Sequence, residues 1–350
     1  MKRVAIVSHG LSNGGAERVA ALLANKIAEK GNKVLFIAAY SSEKEYILNS
    51  KVNYCYIKPK CRNRIIKLIY RSRDIDLILE RFKAEVLISF IVNETLITNI
   101  KNKIPIIYSL RNDPNYIISG LLNKAMCFCL YRRAYKIVFQ TSKAKEFFDP
   151  KVQSKGIVIG NPLTSNLPFW NKENHDSVVI TACRLIPQKN LKMLIKAFSE
   201  FSKTYPEYKL SIYGKGELKS ELMDYSKLLG AENNINFAGH SSEIHSIMAK
   251  SAIFVLTSNF EGLSNSMLEA LAIGIPTICT DCSPGGAAEY INDFENGMLI
   301  KVGDVDGLIQ RLELLAKDKE LCYKLSREAV KIRRRLDENI IVEQWLDLLK

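Results

Sequence analysis

Apolar runs rich in β-branched residues alternate with amphipathic segments along the whole 350-residue chain. The short runs predict buried strands, and the segments between them repeat apolar positions about every three to four residues, which predicts helices. The predicted strands are residues 4–8, 33–38, 54–57, 86–90, 104–109, 137–140, 157–159, 178–182, 209–213, 235–238, 253–257, 277–280 and 298–300. The predicted helices include residues 16–28, 191–201, 265–272 and 338–349.

Strand–helix–strand alternation with short connections favours parallel sheets that are covered by helices on both faces. The pattern occurs twice. Residues 161–176 (NPLTSNLPFWNKENHD), a polar stretch with two prolines, separate the two occurrences. We therefore predict an α/β protein of two doubly wound domains with a cleft between them. Ligands of such sheets bind at the carboxyl ends of the strands, so the residues that follow each strand are the candidates for chemistry.

Composition excludes several classes of protein. With 47% hydrophobic residues and only eight cysteines, the chain is too apolar for a disordered protein and too poor in cysteine for a disulfide scaffold. No apolar stretch reaches the roughly 18 residues of a membrane span, because the best candidate, residues 116–131, is interrupted by Asn123 and Lys124. The apolar run at residues 4–7 is too short for a signal peptide, and we expect a cytoplasmic protein.

The cysteines lie mostly in apolar patterns, which suits that compartment. Cys279 and Cys282 form a single C-x2-C pair with no second pair and no nearby histidine. Buried free thiols are therefore favoured over a zinc or redox site.

The net charge of +13 is concentrated in the first half of the chain. Residues 1–160 carry 28 Lys and Arg against 12 Asp and Glu, whereas residues 161–350 carry 22 against 25. This asymmetry indicates an anionic partner, which is a phosphorylated substrate, a membrane surface or a nucleic acid.

One basic segment, residues 58–73 (KPKCRNRIIKLIYRSR), holds seven cations and no acid, with apolar residues at helical spacing. A second basic set in the same half consists of Lys124, Arg132, Arg133, Lys136, Lys143 and Lys145. One interpretation is a surface that docks on an anionic membrane leaflet or holds a lipid-diphosphate acceptor. The other is a solvated helix that packs its apolar side on the domain core.

Two glycine-rich loops follow predicted strands. Residues 13–18 (NGGAER) place Gly14 and Gly15 before the first helix, where backbone N–H groups can approach an anion. The spacing is neither a dinucleotide fingerprint nor a Walker A loop, and a plain turn is the alternative. Gly214 and Gly216 lie in a second such loop, for which an ordinary strand-to-helix turn is the alternative.

Arg184 and Lys189 follow the first strand of the second half, where two cations can converge on a phosphate. The alternative is a pair of solvated surface cations. Residues 260–269 (FEGLSNSMLE) form the most specific pattern. Ser264 can cap a helix whose first N–H groups then face a diphosphate. Glu269, one turn into that helix, is costly to bury unless it is hydrogen-bonded, and sugar hydroxyls are suitable partners.

These residues resemble those of the retaining glycosyltransferases of family four, which have the GT-B fold of two facing doubly wound domains. Glu261-x7-Glu269 matches the paired-glutamate motif of that family, and Arg184 and Lys189 match its diphosphate-binding cations. Gly14 and Gly15 match its N-terminal glycine loop. The residues GGAER and SLRNDP (109–114) are similar to bacterial members that build capsule, O-antigen or glycan-on-lipid chains. The resemblance covers essentially the whole chain.

The resemblance implies an acceptor-binding domain of residues 1–165, joined by a C-terminal helix (336–350) that crosses back to it, and a nucleotide-sugar-binding domain of residues 166–335. Glu261 would touch the donor sugar, Glu269 would bind the ribose hydroxyls, and the two cations would neutralise the leaving diphosphate. The implied donor-binding residues are Gly14, Gly15, Gly214, Gly216, Gly239, His240, Glu261, Gly262, Leu263, Ser264, Asn265 and Glu269. Gly239 and His240 would lie near the base.

The sequence departs from the family at one position. Many members present a histidine to the donor sugar after the strand that corresponds to residues 104–109, and Arg111 is the nearest candidate here. Arginine cannot act as a base, so Arg111 would orient the sugar or the acceptor. The alternative is that Asn112, Asp113 and Pro114 simply fix this loop as a turn.

The reaction expected from the resemblance is transfer of a sugar, with retention of configuration, from UDP-hexose or UDP-N-acetylhexosamine to a glycan hydroxyl. The expected acceptor is lipid-linked, the protein is peripheral on the inner face of the membrane, and neither a cofactor nor a metal is expected. A sugar-nucleotide epimerase or phosphorylase on the same fold is the alternative enzyme. A nucleic-acid-binding protein is disfavoured because the cations are not interleaved with stacking aromatic residues, and no nucleic-acid partner is expected.

Overall fold

The computed structural model describes residues 1–12, 14–58, 63–101, 103–118 and 120–350. The chain divides into two compact units, one formed by Met1–Pro162 with Asn339–Lys350 and the other by Leu163–Glu338. The boundary after Pro162 falls inside the predicted linker, and both boundaries lie within three residues of the predicted ones.

The strands are β1 (Arg3–Ser8), β2 (Lys33–Ala38), β3 (Val52–Tyr56), β4 (Val86–Ser89), β5 (Ile106–Ser109), β6 (Lys136–Phe139), β7 (Gly156–Val158), β8 (Asp176–Ala182), β9 (Lys209–Tyr213), β10 (Ile235–Gly239), β11 (Ser251–Leu256), β12 (Thr277–Thr280) and β13 (Met298–Ile300). The helices are α1 (Gly15–Glu29), α2 (Arg64–Phe82), α3 (Leu96–Lys101), α4 (Pro114–Ile117), α5 (Leu121–Arg133), α6 (Ser142–Glu146), α7 (Pro150–Gln153), α8 (Leu191–Thr204), α9 (Lys219–Leu228), α10 (Ile244–Ala249), α11 (Asn265–Ile273), α12 (Val305–Lys317), α13 (Lys319–Ala329), α14 (Ile332–Arg335) and α15 (Glu338–Asp347). Every strand predicted from the sequence is present, and its ends differ from the prediction by at most two residues.

Each unit contains one parallel sheet in the described part of the chain. The first sheet has the order β3-β2-β1-β4-β5-β6-β7, and the second has the order β10-β9-β8-β11-β12-β13. In both, the chain builds outward from a central strand in one direction and then in the other. This is the doubly wound topology, so the predicted fold class is confirmed.

The central strands are buried on both faces because helices cover both sides of each sheet. Residues 4–7 of β1 are fully buried, and α1 packs an apolar face that includes Leu23 and Ile27 on this sheet. In the second unit, α8 buries Phe198 and Phe201 in the same way. The near-continuous apolar strands of the sequence are the consequence of this double coverage.

Helix α2 contains most of the basic segment, and the apolar residues near its start are exposed. Its apolar residues Ile65, Ile66, Ile69 and Tyr70 are between 43% and 71% exposed, whereas Arg71 is only 5% exposed. These four residues therefore do not pack on the core, whereas Ile75 and Leu79, further along the same helix, are buried in it. Residues 59–62, which carry two of the seven cations and Cys61, lie outside the described residues, as does Asn13.

Candidate functional site

The strongest candidate site lies at the carboxyl edge of the second sheet. Strands β8 and β11 are neighbours there, and the direction of winding reverses between them. The loops that follow these two strands therefore diverge on either side of a switch point, which is where open α/β sheets bind ligands. They carry the predicted residues Arg184, Lys189 and Glu261.

Hydrogen bonds tie the two loops to each other. The Thr257 hydroxyl donates to the carbonyl oxygen of Lys189 at 3.0 Å, and the backbone N–H of Asn259 donates to that of Gln188 at 2.8 Å. The Gln188 amide in turn donates to the carbonyl oxygen of Phe260 at 2.9 Å. Because the contacts run in both directions, the backbone that carries Lys189 and Glu261 is fixed before any ligand binds.

Lys189 and Glu261 form an ion pair through Nζ and Oε2, with their side chains only 9% and 18% exposed. The Ser258 hydroxyl also donates to Oε2 of Glu261, at 3.3 Å. An ammonium group has three donors, so Lys189 can hold Glu261 and still donate to a second anion. In a partly desolvated position such a charge acts more strongly than it would in water.

Arg184 is the second predicted cation, and it behaves differently from Lys189. It lies at the beginning of the same loop and is exposed. The structure therefore holds one cation in place beside a carboxylate and leaves the other extended toward solvent. The two predicted cations flank a single loop, but they are not equally preorganised.

Gly214 and Gly216 have a structural reason to be glycine. A Cβ at Gly214 would lie 1.8 Å from the carbonyl oxygen of Cys183, and one at Gly216 would lie 2.2 Å from that of Leu185. The N–H of Gly214 donates to the carbonyl oxygen of Gly239 at 2.7 Å. Both glycines thus allow the loop after β9 to cross the loop after β8. This structural role is in line with the alternative that the loop is an ordinary strand-to-helix turn.

Strand β10 ends at Gly239 on the same edge, and His240 follows it. Gly239 has a φ of +75°, and a Cβ there would meet nothing within 4 Å. His240 is exposed. This loop is therefore open, in contrast to the crossed loops beside it.

The amino terminus of α11 has the predicted cap. The Ser264 hydroxyl accepts a hydrogen bond from the N–H of Met267, and the helix begins at Asn265. Gly262 is approached closely, because a Cβ on Gly286 would lie 1.9 Å from its carbonyl oxygen. Leu263 is buried and anchors the turn. The segment therefore has the geometry of a capped helix start at the ligand-binding edge.

Glu269 is buried, as predicted. Its contact with a histidine was not predicted from the sequence. The carboxylate is 7% exposed, and Nε2 of His245 lies 3.1 Å from its Oε2. His245 belongs to α10, which is 24 residues earlier in the chain and packs against α11. A single histidine in a short amphipathic segment gives no sequence signal, so only the packing of the two helices shows this contact.

Three predicted residues lie in the first unit. Gly14 is the N-cap of α1 in an extended conformation, and Gly15 is the first residue of that helix. A Cβ at Gly14 would meet only the flexible carboxylate of Glu17, so sterics alone do not require a glycine there. Arg111 follows β5.

The Arg111 side chain is anchored inside the first unit. Its Nε donates to the Ser109 hydroxyl at 2.7 Å and its Nη1 to Oδ1 of Asn161 at 2.5 Å. The guanidinium lies 5.2 Å from the ring centre of Phe90 and 5.8 Å from that of Trp345. Burial lowers the pKa of Arg111 to about 9, so it remains a cation at neutral pH. Arg111 thus links the end of β5 to Asn161 and lies near the ring of Trp345 in α15.

The seven cysteines within the described residues are free, as expected. Burial raises the pKa of Cys282 to about 12, which keeps it a neutral thiol. In the part of the chain that the structure describes, no three His, Cys, Asp or Glu side chains are grouped to hold a metal ion. None of the helices described is both long enough and apolar enough to cross a membrane.

The chain is similar to known proteins in sequence and in fold. Residues 165–332 match the family profile described as "Glycosyl transferases group 1". An uncharacterized glycosyltransferase of Haemophilus influenzae is 26% identical over 353 residues, which cover 97% of each chain. A Campylobacter jejuni enzyme, named as an alpha-1,4-N-acetyl-D-galactosaminyltransferase for GalNAc-alpha-(1->4)-GalNAc-alpha-(1->3)-diNAcBac-PP-undecaprenol, is 26% identical over 367 residues, covering 100% of this chain and 98% of its own.

Among solved structures, HepE from Anabaena in complex with UDP and glucose has a similar fold. The TM-score is 0.83 at 18% identity, with 100% of this chain and 99% of HepE covered. The match extends over both doubly wound units, whereas the family profile covers the unit that carries the Lys189–Glu261 pair. Residues 165–332 are thus similar to glycosyl transferases group 1 domains, and the chain as a whole has the GT-B fold.

Proposed function

We propose that this glycosyltransferase moves a sugar from a nucleotide diphosphate donor to a hydroxyl of a glycan acceptor, with retention, in the assembly of a bacterial surface polysaccharide. The observation that carries the proposal is the Lys189–Glu261 pair at the switch point of the second sheet. It supplies a fixed cation for a leaving diphosphate and a carboxylate for a sugar hydroxyl in one place.

The side chains divide the work of the transfer between them. Lys189 and the first N–H groups of α11 stabilise the charge that develops on the departing diphosphate, and Arg184 adds a second cation when the ligand arrives. Glu261 orients the donor sugar, and Glu269 accepts hydrogen bonds from the ribose hydroxyls.

The bond from the acceptor oxygen to the anomeric carbon forms on the face from which the phosphate oxygen departs. The acceptor proton passes to that phosphate oxygen. The cations and helix N–H groups carry the neutralising role for which other enzymes use a metal, so we propose that transfer needs none.

We propose a UDP-hexose or UDP-N-acetylhexosamine as the donor and a lipid-linked glycan as the acceptor. HepE, solved with UDP and glucose, supports the donor, and the undecaprenol-linked substrate in the name of the Campylobacter jejuni relative supports the acceptor. We propose that the nucleobase of the donor lies near Gly239 and His240.

A peripheral position on the cytoplasmic face of an anionic membrane fits the surface of the first unit. Helix α2 exposes Ile65, Ile66, Ile69 and Tyr70 beside the cations of the basic segment. Near an anionic leaflet each engaged Lys or Arg contributes about 1 kcal/mol, and apolar residues beside them add shallow insertion.

A thermal-shift panel of UDP, GDP, ADP and their sugars tests the donor. A ligand at about 100 times its Kd stabilises by roughly 2.7 kcal/mol, so UDP and its sugars should raise Tm most. Transfer is then followed as nucleotide release with and without a glycan acceptor, with and without EDTA. We expect release only with acceptor, unaffected by EDTA. Epimerised donor without acceptor, or phosphate-dependent cleavage, would instead identify an epimerase or a phosphorylase.

A further inference from the structure

Helix α10 lies between two parts of the proposed donor site that are distant in sequence, the loop after β10 and helix α11. It follows the open loop after β10, which contains Gly239 and His240, and it packs against α11. His245 is its second residue, and Glu269 is the fifth residue of α11. One side-chain contact therefore joins the helix that follows the loop proposed to meet the nucleobase with the carboxylate proposed to meet the ribose.

The geometry of this contact is that of a held carboxylate. Nε2 of His245 lies 3.1 Å from Oε2 of Glu269, and the two side chains are 30% and 7% exposed. A carboxylate so far removed from water loses most of its hydration, and an N–H donor replaces part of it. The imidazole has only two side-chain torsions, so it restricts the carboxylate more closely than a lysine could.

A vicinal diol makes strict demands on the group that binds it. Two neighbouring ribose hydroxyls can donate to one carboxylate only if its plane and position are correct, and binding constellations tolerate displacements of only about 0.5 Å. Glu269 is a buried residue of α11, so its carboxylate is oriented by neighbouring protein groups and not by water. The neighbouring imidazole contacts Oε2 of this carboxylate and so restricts its orientation.

We propose that His245 is a positioning residue for donor binding, which orients the Glu269 carboxylate toward the ribose hydroxyls. This inference rests on the proposed function, because it requires a ribonucleotide donor. A purely fold-stabilising contact would have a different signature, since its removal would lower Tm and weaken every ligand of the second unit alike.

The test compares UDP with 2′,3′-dideoxy-UDP by calorimetry on the full-length protein. We expect His245→Ala to weaken UDP binding about tenfold and to leave dideoxy-UDP binding unchanged within twofold. In turnover assays the donor KM should rise by a similar factor, with kcat changed less than twofold. His245→Gln, which restores an N–H donor, should recover most of the UDP affinity.

His175→Ala is the matched control, because it removes another imidazole of the second unit, which stacks on Trp170 at 5.1 Å and lies outside the donor residues. It should leave the preference for UDP over dideoxy-UDP unchanged. Equal weakening of both nucleotides by His245→Ala, or no weakening of either, would overturn the inference. A wild-type protein that binds UDP without preferring the ribose would overturn it while sparing the proposed nucleotide donor. Failure to bind UDP, GDP or ADP would overturn both.

Discussion

The two sheets have the same doubly wound topology, but the residues near their carboxyl edges differ in how they are partnered and exposed. In the second unit, Lys189–Glu261 and His245–Glu269 are paired polar groups with mostly buried side chains, whereas Arg184 is exposed. In the first unit, Arg111 is a desolvated cation tied to neutral partners, and helix α2 exposes apolar residues within a basic segment. The same topology thus carries a preorganised polar site in one unit and an exposed apolar surface in the other.

The largest effect is expected at the Lys189–Glu261 pair. Lys189→Met should lower kcat about 100-fold, since it removes a fixed cation from the leaving group. It should also destabilise the protein by about 2 kcal/mol, because the Glu261 carboxylate is left half-buried without its ammonium partner. Glu261→Gln and Arg184→Ala should each lower turnover more than tenfold. Urea unfolding and donor-consumption assays measure both quantities.

The double variant Lys189→Met with Glu261→Gln separates stability from catalysis. It should regain most of the lost stability, because no unpaired charge remains, yet stay inactive. Lys192→Met is the control, since Lys192 pairs with Glu221 on the surface, where both side chains are at least 50% exposed. Turnover close to wild type in the double variant would place the chemistry elsewhere.

The next effect concerns the crossed loops of the second unit. Gly216→Ala should destabilise by about 2 kcal/mol, because its Cβ would lie 2.2 Å from the backbone carbonyl oxygen of Leu185. Gly239→Ala should cost about 1 kcal/mol, because it has open space but a φ of +75°. Thermal unfolding of the two variants measures the difference. An equal cost would mean that the crossing is looser than the structure has it.

The smallest effect tests the surface of the first unit. Replacing Ile65 and Ile69 by serine should lower partitioning onto anionic liposomes about threefold to tenfold, while leaving turnover on a water-soluble acceptor unchanged. High salt should lower the partitioning of the wild type further, since screening weakens the attraction between lysines and lipid headgroups. Co-sedimentation at low and high salt measures both.

The control for this surface is Leu228→Ser, which removes a 79% exposed apolar residue from the second unit. It should not change partitioning. Equal binding to neutral and anionic vesicles, insensitive to salt, would leave the positive charge of the first unit without this explanation and would favour a water-soluble acceptor.

Much of the candidate site could be predicted because its residues follow strands. Ser264 was identified as a cap from its place before an apolar helix, and Glu269 as a buried acid from its place on that helix. Such features depend on a few neighbouring positions of the chain. The exposure of Ile65 and Ile69 could not be predicted in this way, because the helical period defines two faces without saying which one meets the core.

By itself, the sequence determined the alternation of strands and helices, the two sheets and the loops that hold the chemistry, because these follow from local periodicity and turn residues. The tertiary structure alone decided which groups meet. It brought His245 to Glu269 across 24 residues of chain, closed Lys189 onto Glu261 from another loop, and tied Arg111 to Asn161. These contacts depend on how the elements pack and on which polar groups lose their water, and a pattern along the chain contains neither.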